Sequence, residues 1–277
     1  MHSLRHGLAR INSWRLIRVA AVRPLLFTTL SFFLGGIAPL LAADPVIRIA
    51  TRPNLPPYIH DGATSGIEID LIKAVFEEAG RPIEFVQMDR VEMFSRFESG
   101  EIEGSLTQNI AASDHGCATK WYIVHQNVGF TLRSKNITLD SLDDLSDKPV
   151  VSFHNATVFL GEAYRNAVAK NPRYKEVAPQ SAHIDLLYSG EVDVILGDEW
   201  IIRYVQRQHF EKTGEYQELT VHPIMKPTLY SARFQRQETC NVFDSALRTL
   251  RRDGRYDQIV DGYHQRILVT AKTDTKD

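Results

Sequence analysis

The stretch at 93–109, "MFSRFESGEIEGSLTQN", is echoed 90 residues later at 183–199 by "HIDLLYSGEVDVILGDE". With Gly100 aligned on Gly190, each reads as a helix with apolar spacing, a Ser-Gly-Glu turn and a short strand. A glycine directly after a helical run ends the helix, because it takes the left-handed conformation without steric cost. The elements upstream repeat the same plan. The first unit runs strand "VIRIAT", helix 66–79, strand "IEFVQM", helix 89–99 and strand 102–107. The second runs strand "DKPVVSF", helix "TVFLGEAYRNAVAK", a short strand near "YKEVAP", helix 181–189 and strand 192–196. Two β-α-β-α-β units predict an α/β chain of two lobes, each a mostly parallel sheet flanked by helices.

The first 43 residues differ from the rest. They hold Arg5, Arg10, Arg15, Arg18 and Arg23 and no acid, and end in "PLLFTTLSFFLGGIAPLLAA". A basic region, an apolar region and small residues near Ala43 predict a cleavable signal peptide over 1–43. Left uncut, the same run is long enough to serve as a membrane anchor. Without those residues the chain carries 27 Lys+Arg against 34 Asp+Glu, a formal charge of -7. An acidic chain without a basic block argues against nucleic acid as a partner. The expectation is an exported, periplasmic and monomeric protein with no cofactor.

The remaining organisation points to a hinge. "NVGFTLRSKN" reads as a strand leaving the first unit, and "TLYSARF" as a strand returning to it. Crossings are expected near 130–134 and 221–230. This gives the first part of lobe 1 at 44–132, lobe 2 at 133–224, and a return to lobe 1 with C-terminal helices at 225–277. Two tethers between compact lobes make a hinge over a ligand cleft. Ligands of open α/β sheets gather beyond the carboxyl ends of the strands. Tyr58, Gln108, Asn109, Asn155, Thr157 and Asp198 all fall there. Tyr58 offers a flat apolar face with one hydroxyl, or else a lid over the core beneath it. Asn155 and Thr157 either cap the next helix or receive an anion. Asp198 either binds an ammonium or a hydroxyl, or caps the turn before "WIIRYVQ". Trp121 and Tyr122 form an opposite aromatic wall or ordinary core.

Catalytic patterns are missing. The sequence has no GxSxG, no HExxH and no phosphate-loop lysine, and its ten histidines are scattered. No metal site is expected. Cys117 and Cys240 lack metal-ligand spacing. In an oxidising compartment they are candidates to pair, the alternative being two small buried thiols.

The segments "VIRIATRPNLPPYI", "GIEIDLIKAVFEEAG", "FESGEIEGSL", "LYSGEVDVILGDEW" and "ALRTLRRDGRYDQIVDGY" resemble the bacterial extracellular solute-binding proteins of family 3. These are the periplasmic polar amino-acid binding proteins of ABC importers. The resemblance covers most of 46–265 and implies the two-lobed type II periplasmic binding protein fold. It puts Tyr58 at the aromatic stacking place and Asp198 at the carboxylate that meets a ligand ammonium. Asn155 and Thr157 fall in the loop that helps hold the ligand carboxylate. One departure stands out. The Thr-x-x-Arg segment that usually clamps that carboxylate reads here "TQNIAASDHGCATKWY", with Ala112 at the threonine place and His115 at the arginine place. An imidazole is a poor substitute for a planar guanidinium. Arg90 and Arg52 are alternative cations, unless they are solvated surface charges.

The expected function is therefore capture of a small polar solute, an amino acid or another organic acid or amine, by hinge closure. Delivery to an ABC importer or a sensor would follow. Two alternatives stay open: a periplasmic dehydratase-like enzyme using Asp198, Glu199 and His115, and a degenerate lobe pair that binds a protein partner.

Overall fold

The computed structural model describes residues 45–108 and 115–268. The expected signal peptide, Asn109 and Ala112 lie outside the described residues. In chain order the strands are β1 (Ile47–Thr51), β2 (Ile83–Gln87), β3 (Gly104–Gln108), β4 (Cys117–Ala118), β5 (Ile123–His125) and β6 (Asn127–Leu132), then β7 (Val150–Phe153), β8 (Tyr174–Val177), β9 (Val194–Asp198), β10 (Leu219–His222) and β11 (Thr228–Phe234). The helices are α1 (Ile67–Glu78), α2 (Arg90–Glu98), α3 (Ala156–Phe159), α4 (Gly161–Val168), α5 (Ala182–Tyr188), α6 (Glu199–Thr213), α7 (Gln237–Arg252) and α8 (Arg255–Ile267).

These strands form two sheets, ordered β2-β1-β3-β11-β4 and β10-β6-β9-β7-β8, with β5 added against β11. In the first, β1 pairs in parallel with β2 and β3, and β11 runs antiparallel to β3. In the second, β7 pairs in parallel with β8 and β9, and β6 runs antiparallel to β9. Both sheets thus place the first strand of a unit between its second and third, then add an antiparallel strand from elsewhere. The sequence echo is a real topological repeat. Gly100 and Gly190, with φ of 76° and 80°, end equivalent helices, and β3 and β9 follow at the same offset.

Both faces of each sheet are covered, which is why the central strands carry little polar alternation. Every residue of β9 is buried. In the first lobe α1, α7 and α8 pack around Ile69, Phe76, Phe234 and Phe243, and Met93 and Phe97 of α2 cover the other face. The second lobe has equivalent clusters on either side of β6, β7 and β9.

Two expectations change. The single helix expected from Thr157 is split into α3 and α4 at Gly161, whose φ of 87° breaks the helical run. The strand "NVGFTL" already pairs in the second sheet, so the first crossing falls at Gln126 rather than near 130–134. Its alternating pattern identifies a strand but not the sheet that receives it. The second crossing spans 223–227, between β10 and β11. Gln126 ties the two crossings together, its Nε2 donating to the Met225 carbonyl at 2.8 Å.

The loop carrying Tyr58 is locked to the start of α1. Ile67 and Glu68 donate their N–H groups to the carbonyls of Pro57 and Tyr58 at 2.9 and 3.0 Å. Gly66 sits between them at φ 127°, and a Cβ there would collide with the Tyr58 carbonyl. Cys117 and Cys240 are disulfide-bonded, joining β4 to α7 across 123 residues of chain.

Two outcomes follow. Gly66→Ala should cost about 2–4 kcal/mol, because it adds both backbone strain and a clash; equal urea midpoints for the two proteins would refute the close approach. Thiol titration of unfolded, unreduced protein should find no free cysteine. Replacing both cysteines by alanine should lower stability by about 2–5 kcal/mol.

Candidate functional site

The carboxyl ends of β1, β2, β7 and β9 converge on a cavity of about 290 Å³ between the lobes. From the first lobe come Arg52, directly after β1, and Arg90, which opens α2 beyond β2. His125 adds an imidazole from the end of β5. From the second lobe come Phe153, Phe159 and Asp198. Contacts already bridge the gap. The Arg90 guanidinium lies 5.1 Å from the centre of the Phe159 ring, and Trp200 of α6 stacks on His264 of α8 at 3.4 Å.

Asp198 organises one wall. It is 4% exposed and is the N-cap of α6. Its Oδ1 accepts from the N–H groups of Trp200 and Ile201 at 3.0 and 3.1 Å, and from the Tyr58 hydroxyl at 2.9 Å. Its Oδ2 accepts from the Gln126 N–H at 3.1 Å. Four donors thus reach this carboxylate, three on Oδ1 and one on Oδ2, and Oδ2 also lies 4.0 Å from His125 Nδ1. Of the two possibilities read for Asp198, the structure shows the helix cap, and the residue also lines the cavity. Burial pushes its pKa up to about 6, while the donors favour the ionised form and oppose that rise. The Tyr58 hydroxyl is driven well above the phenol range by burial and by Asp198, so it stays a donor.

Tyr58 is 2% exposed and stacks on the His125 ring at 4.0 Å. The face expected to receive a ligand is covered by this imidazole. His125 itself is held neutral, its pKa lowered to about 3 by burial and then by the charges of Arg52 and Arg90. Its Nε2 is buried without a hydrogen-bond partner.

The other candidates divide. Arg90 lines the cavity, but Gln108 turns back to Ser105 Oγ and the Leu106 carbonyl at 3.0 and 2.9 Å. Tyr122 is fully buried behind the site, where it and Thr107 donate to Glu68. Trp121 lies on the surface under the Arg251 guanidinium, 3.9 Å from its ring centre. Neither forms the expected aromatic wall. His115 is exposed and bonds Gln235 Oε1 at 2.7 Å, away from the cavity, so it does not stand in for the clamp. Asn155 and Thr157 direct their N–H groups at Glu176, at 2.6 and 2.9 Å, and the Thr157 hydroxyl does the same at 2.9 Å. The chain's own carboxylate thus occupies the donors expected to meet a ligand.

Sequence reasoning missed His125, Phe153 and Phe159 as lining residues. His125 and Phe153 each end a strand, which is the signal that could have found them. Phe159 is brought in by the turn at Gly161, which no pattern announces. Among the described residues, Asp198, Glu199 and His115 are not assembled as an acid–base set in the cavity. Asp198 caps α6 and already accepts four hydrogen bonds, Glu199 pairs with Arg203 at 2.9 Å, and His115 is elsewhere.

The sequence profile of bacterial extracellular solute-binding proteins, family 3, matches residues 47–266. The chain belongs to that family. It is thus a binding protein for a small solute, working outside the cytoplasm. Among curated proteins, none matches the chain in sequence. Several solved structures share its fold. The GluR0 ligand binding core in complex with L-glutamate has a TM-score of 0.63 at 16% identity, covering 80% of this chain and 99% of that one. A histidine kinase sensor domain with similarity to periplasmic binding proteins gives 0.60 at 20%, covering 79% and 96%. The amino acid ABC transporter substrate-binding protein AbpA from Streptococcus pneumoniae Canada MDR_19A, bound to L-arginine, gives 0.59 at 16%, covering 81% and 96%.

The raised pKa of Asp198 fixes a pH dependence. Between about pH 4 and 6 the folded chain holds a proton on Asp198 that the unfolded chain has released, so stability falls as pH rises through that window. The loss should be on the order of 2–3 kcal/mol. In Asp198→Asn that part of the slope should vanish, as read from urea unfolding at pH 4 and pH 7; identical slopes in both proteins would refute the assignment.

Proposed function

We propose that the chain captures a small polar solute in the cavity between its lobes. It closes about the crossings at Gln126 and 223–227, then hands the solute to a membrane importer of the ABC class. The observation that carries this reading is the cavity itself, at the strand ends of both sheets, with side chains from both lobes on its walls. The relative AbpA, named as an amino acid ABC transporter substrate-binding protein, supports the importer as the recipient. Residues 1–43 act as an export signal that is removed, releasing the rest into the periplasm.

Closure here is a population shift. The solute favours the closed form by the contacts it makes only there, and no bond is made or broken. The Tyr58–Asp198 hydrogen bond joins the first lobe to the start of α6, so it forms only when the lobes meet. Tyr58→Phe should leave the fold intact and weaken solute binding by about threefold to tenfold through a less populated closed form.

Native mass spectrometry of the protein isolated from the periplasm tests the reading. A bound species of a few hundred daltons or less is expected (about ten waters' worth of space is available). The released compound should raise the melting temperature, as any ligand of the folded form alone must. An empty protein that no small molecule stabilises would end the proposal.

A further inference from the structure

We infer that the cavity selects an organic acid that carries no ammonium group, its carboxylate held by Arg52 and Arg90 and its apolar body resting on Phe153, Phe159 and Tyr230. This rests on the solute-capture reading and names the class of solute.

The cations come first. Arg52 and Arg90 stand at the ends of neighbouring parallel strands and both line the cavity. Neither forms a hydrogen bond or ion pair with another described residue. Arg52 Nε is buried without a partner, and Arg90 only stacks on Phe159. The guanidinium is always charged and matches a carboxylate in two-point geometry. Two such groups on one wall call for an anion.

The anions settle the rest. Among the described residues Asp198 is the one carboxylate on the cavity wall; its Oδ1 accepts from Tyr58, Trp200 and Ile201, and its Oδ2 accepts from Gln126 and lies 4.0 Å from His125 Nδ1. Glu68 is fully buried outside the lining, and Thr107 and Tyr122 hold one of its oxygens. Its other oxygen is buried without a hydrogen-bond partner, and its charge offsets part of the cost of burying Arg52. Glu176 is spent on Asn155 and Thr157. Among the described residues a ligand ammonium would therefore meet only a carboxylate that is 4% exposed and already accepts four hydrogen bonds, and it would lie beside two guanidiniums. The donors on the second lobe that would hold an amino acid's carboxylate are likewise filled. Recognition of the acid moves to the first lobe, and recognition of the amine is lost. A volume of about 290 Å³ limits the acid to a compact one.

Calorimetric titration of the full chain with matched sets tests this: 3-phenylpropionate, phenylalanine and 2-phenylethylamine, then 4-methylpentanoate, leucine and 3-methylbutylamine. The expected result is binding of an acid at least about tenfold tighter than its amino acid, with no binding of the amine. Arg52→Gln and Arg90→Gln should each weaken that acid by at least about tenfold. Arg90 is exposed, so Arg90→Gln should keep the wild-type melting temperature, which separates lost binding from lost folding even if Arg52→Gln folds poorly. An amino acid that binds as tightly as its acid would overturn the inference, as would acid binding unchanged in Arg90→Gln. If none of the acids binds, the inference also falls. An amine or neutral solute then found by native mass spectrometry would leave solute capture standing, and an empty protein would remove both.

Discussion

A single buried carboxylate holds the centre of this molecule together. Asp198 ends the third strand of the second lobe and starts α6, and it gathers donors from that helix, from the crossing at Gln126 and from the Tyr58 loop of the opposite lobe. A buried charge is tolerable only when its acceptor positions are filled. The need to satisfy it therefore fixes three things at once: the direction of α6, the path of the hinge, and the approach of the first lobe. Gln126 extends the arrangement by bonding the second crossing at Met225. Closing the lobes completes the shell of Asp198, and opening them removes one donor from it.

The cleft that results is electrostatically uneven. Among the described residues its one carboxylate, Asp198, already accepts four hydrogen bonds, whereas Arg52 and Arg90 make no ion pair with a described residue. The likeness to the GluR0 ligand binding core and to AbpA is one of fold, and the chemistry of the cavity wall is this chain's own. Fold and site are separable in this way because the sheets position strand ends, while the chemistry at those ends depends on a few side chains. Glu176 illustrates the point. One glutamate at the edge strand β8 is enough to fill the donors that begin the second lobe's first helix.

Most of the architecture could be read from the chain. The helix-glycine-strand echo located equivalent elements in both lobes, and the glycine stops at Gly100, Gly190 and Gly254 all adopt positive φ. Local sequence suffices there because helix ends and apolar strands are set by neighbours a few residues away. The site was less legible. Asp198 was marked by its place after a strand, whereas Arg52 and Arg90 read either as alternative cations or as solvated surface charges. Gln108, Trp121 and Tyr122 occupied equally good positions and turned elsewhere. Whether a side chain at a strand end enters the cleft or folds back on its own backbone depends on partners distant in sequence. His115 shows the same limit, since its partner Gln235 is 120 residues away.

The sequence by itself determined the element order, the doubled plan of the lobes and the membership in a solute-binding family, because periodicity and capping act over short range. Only the tertiary structure decided which charges remain open in the cleft. That outcome depends on long-range pairing: Tyr58 with Asp198 across 140 residues, Asn155 with Glu176, and Arg52 and Arg90 without an ion pair to any described residue. Pairing of this kind is set by how sheets and helices bring distant residues together, and no local pattern encodes it.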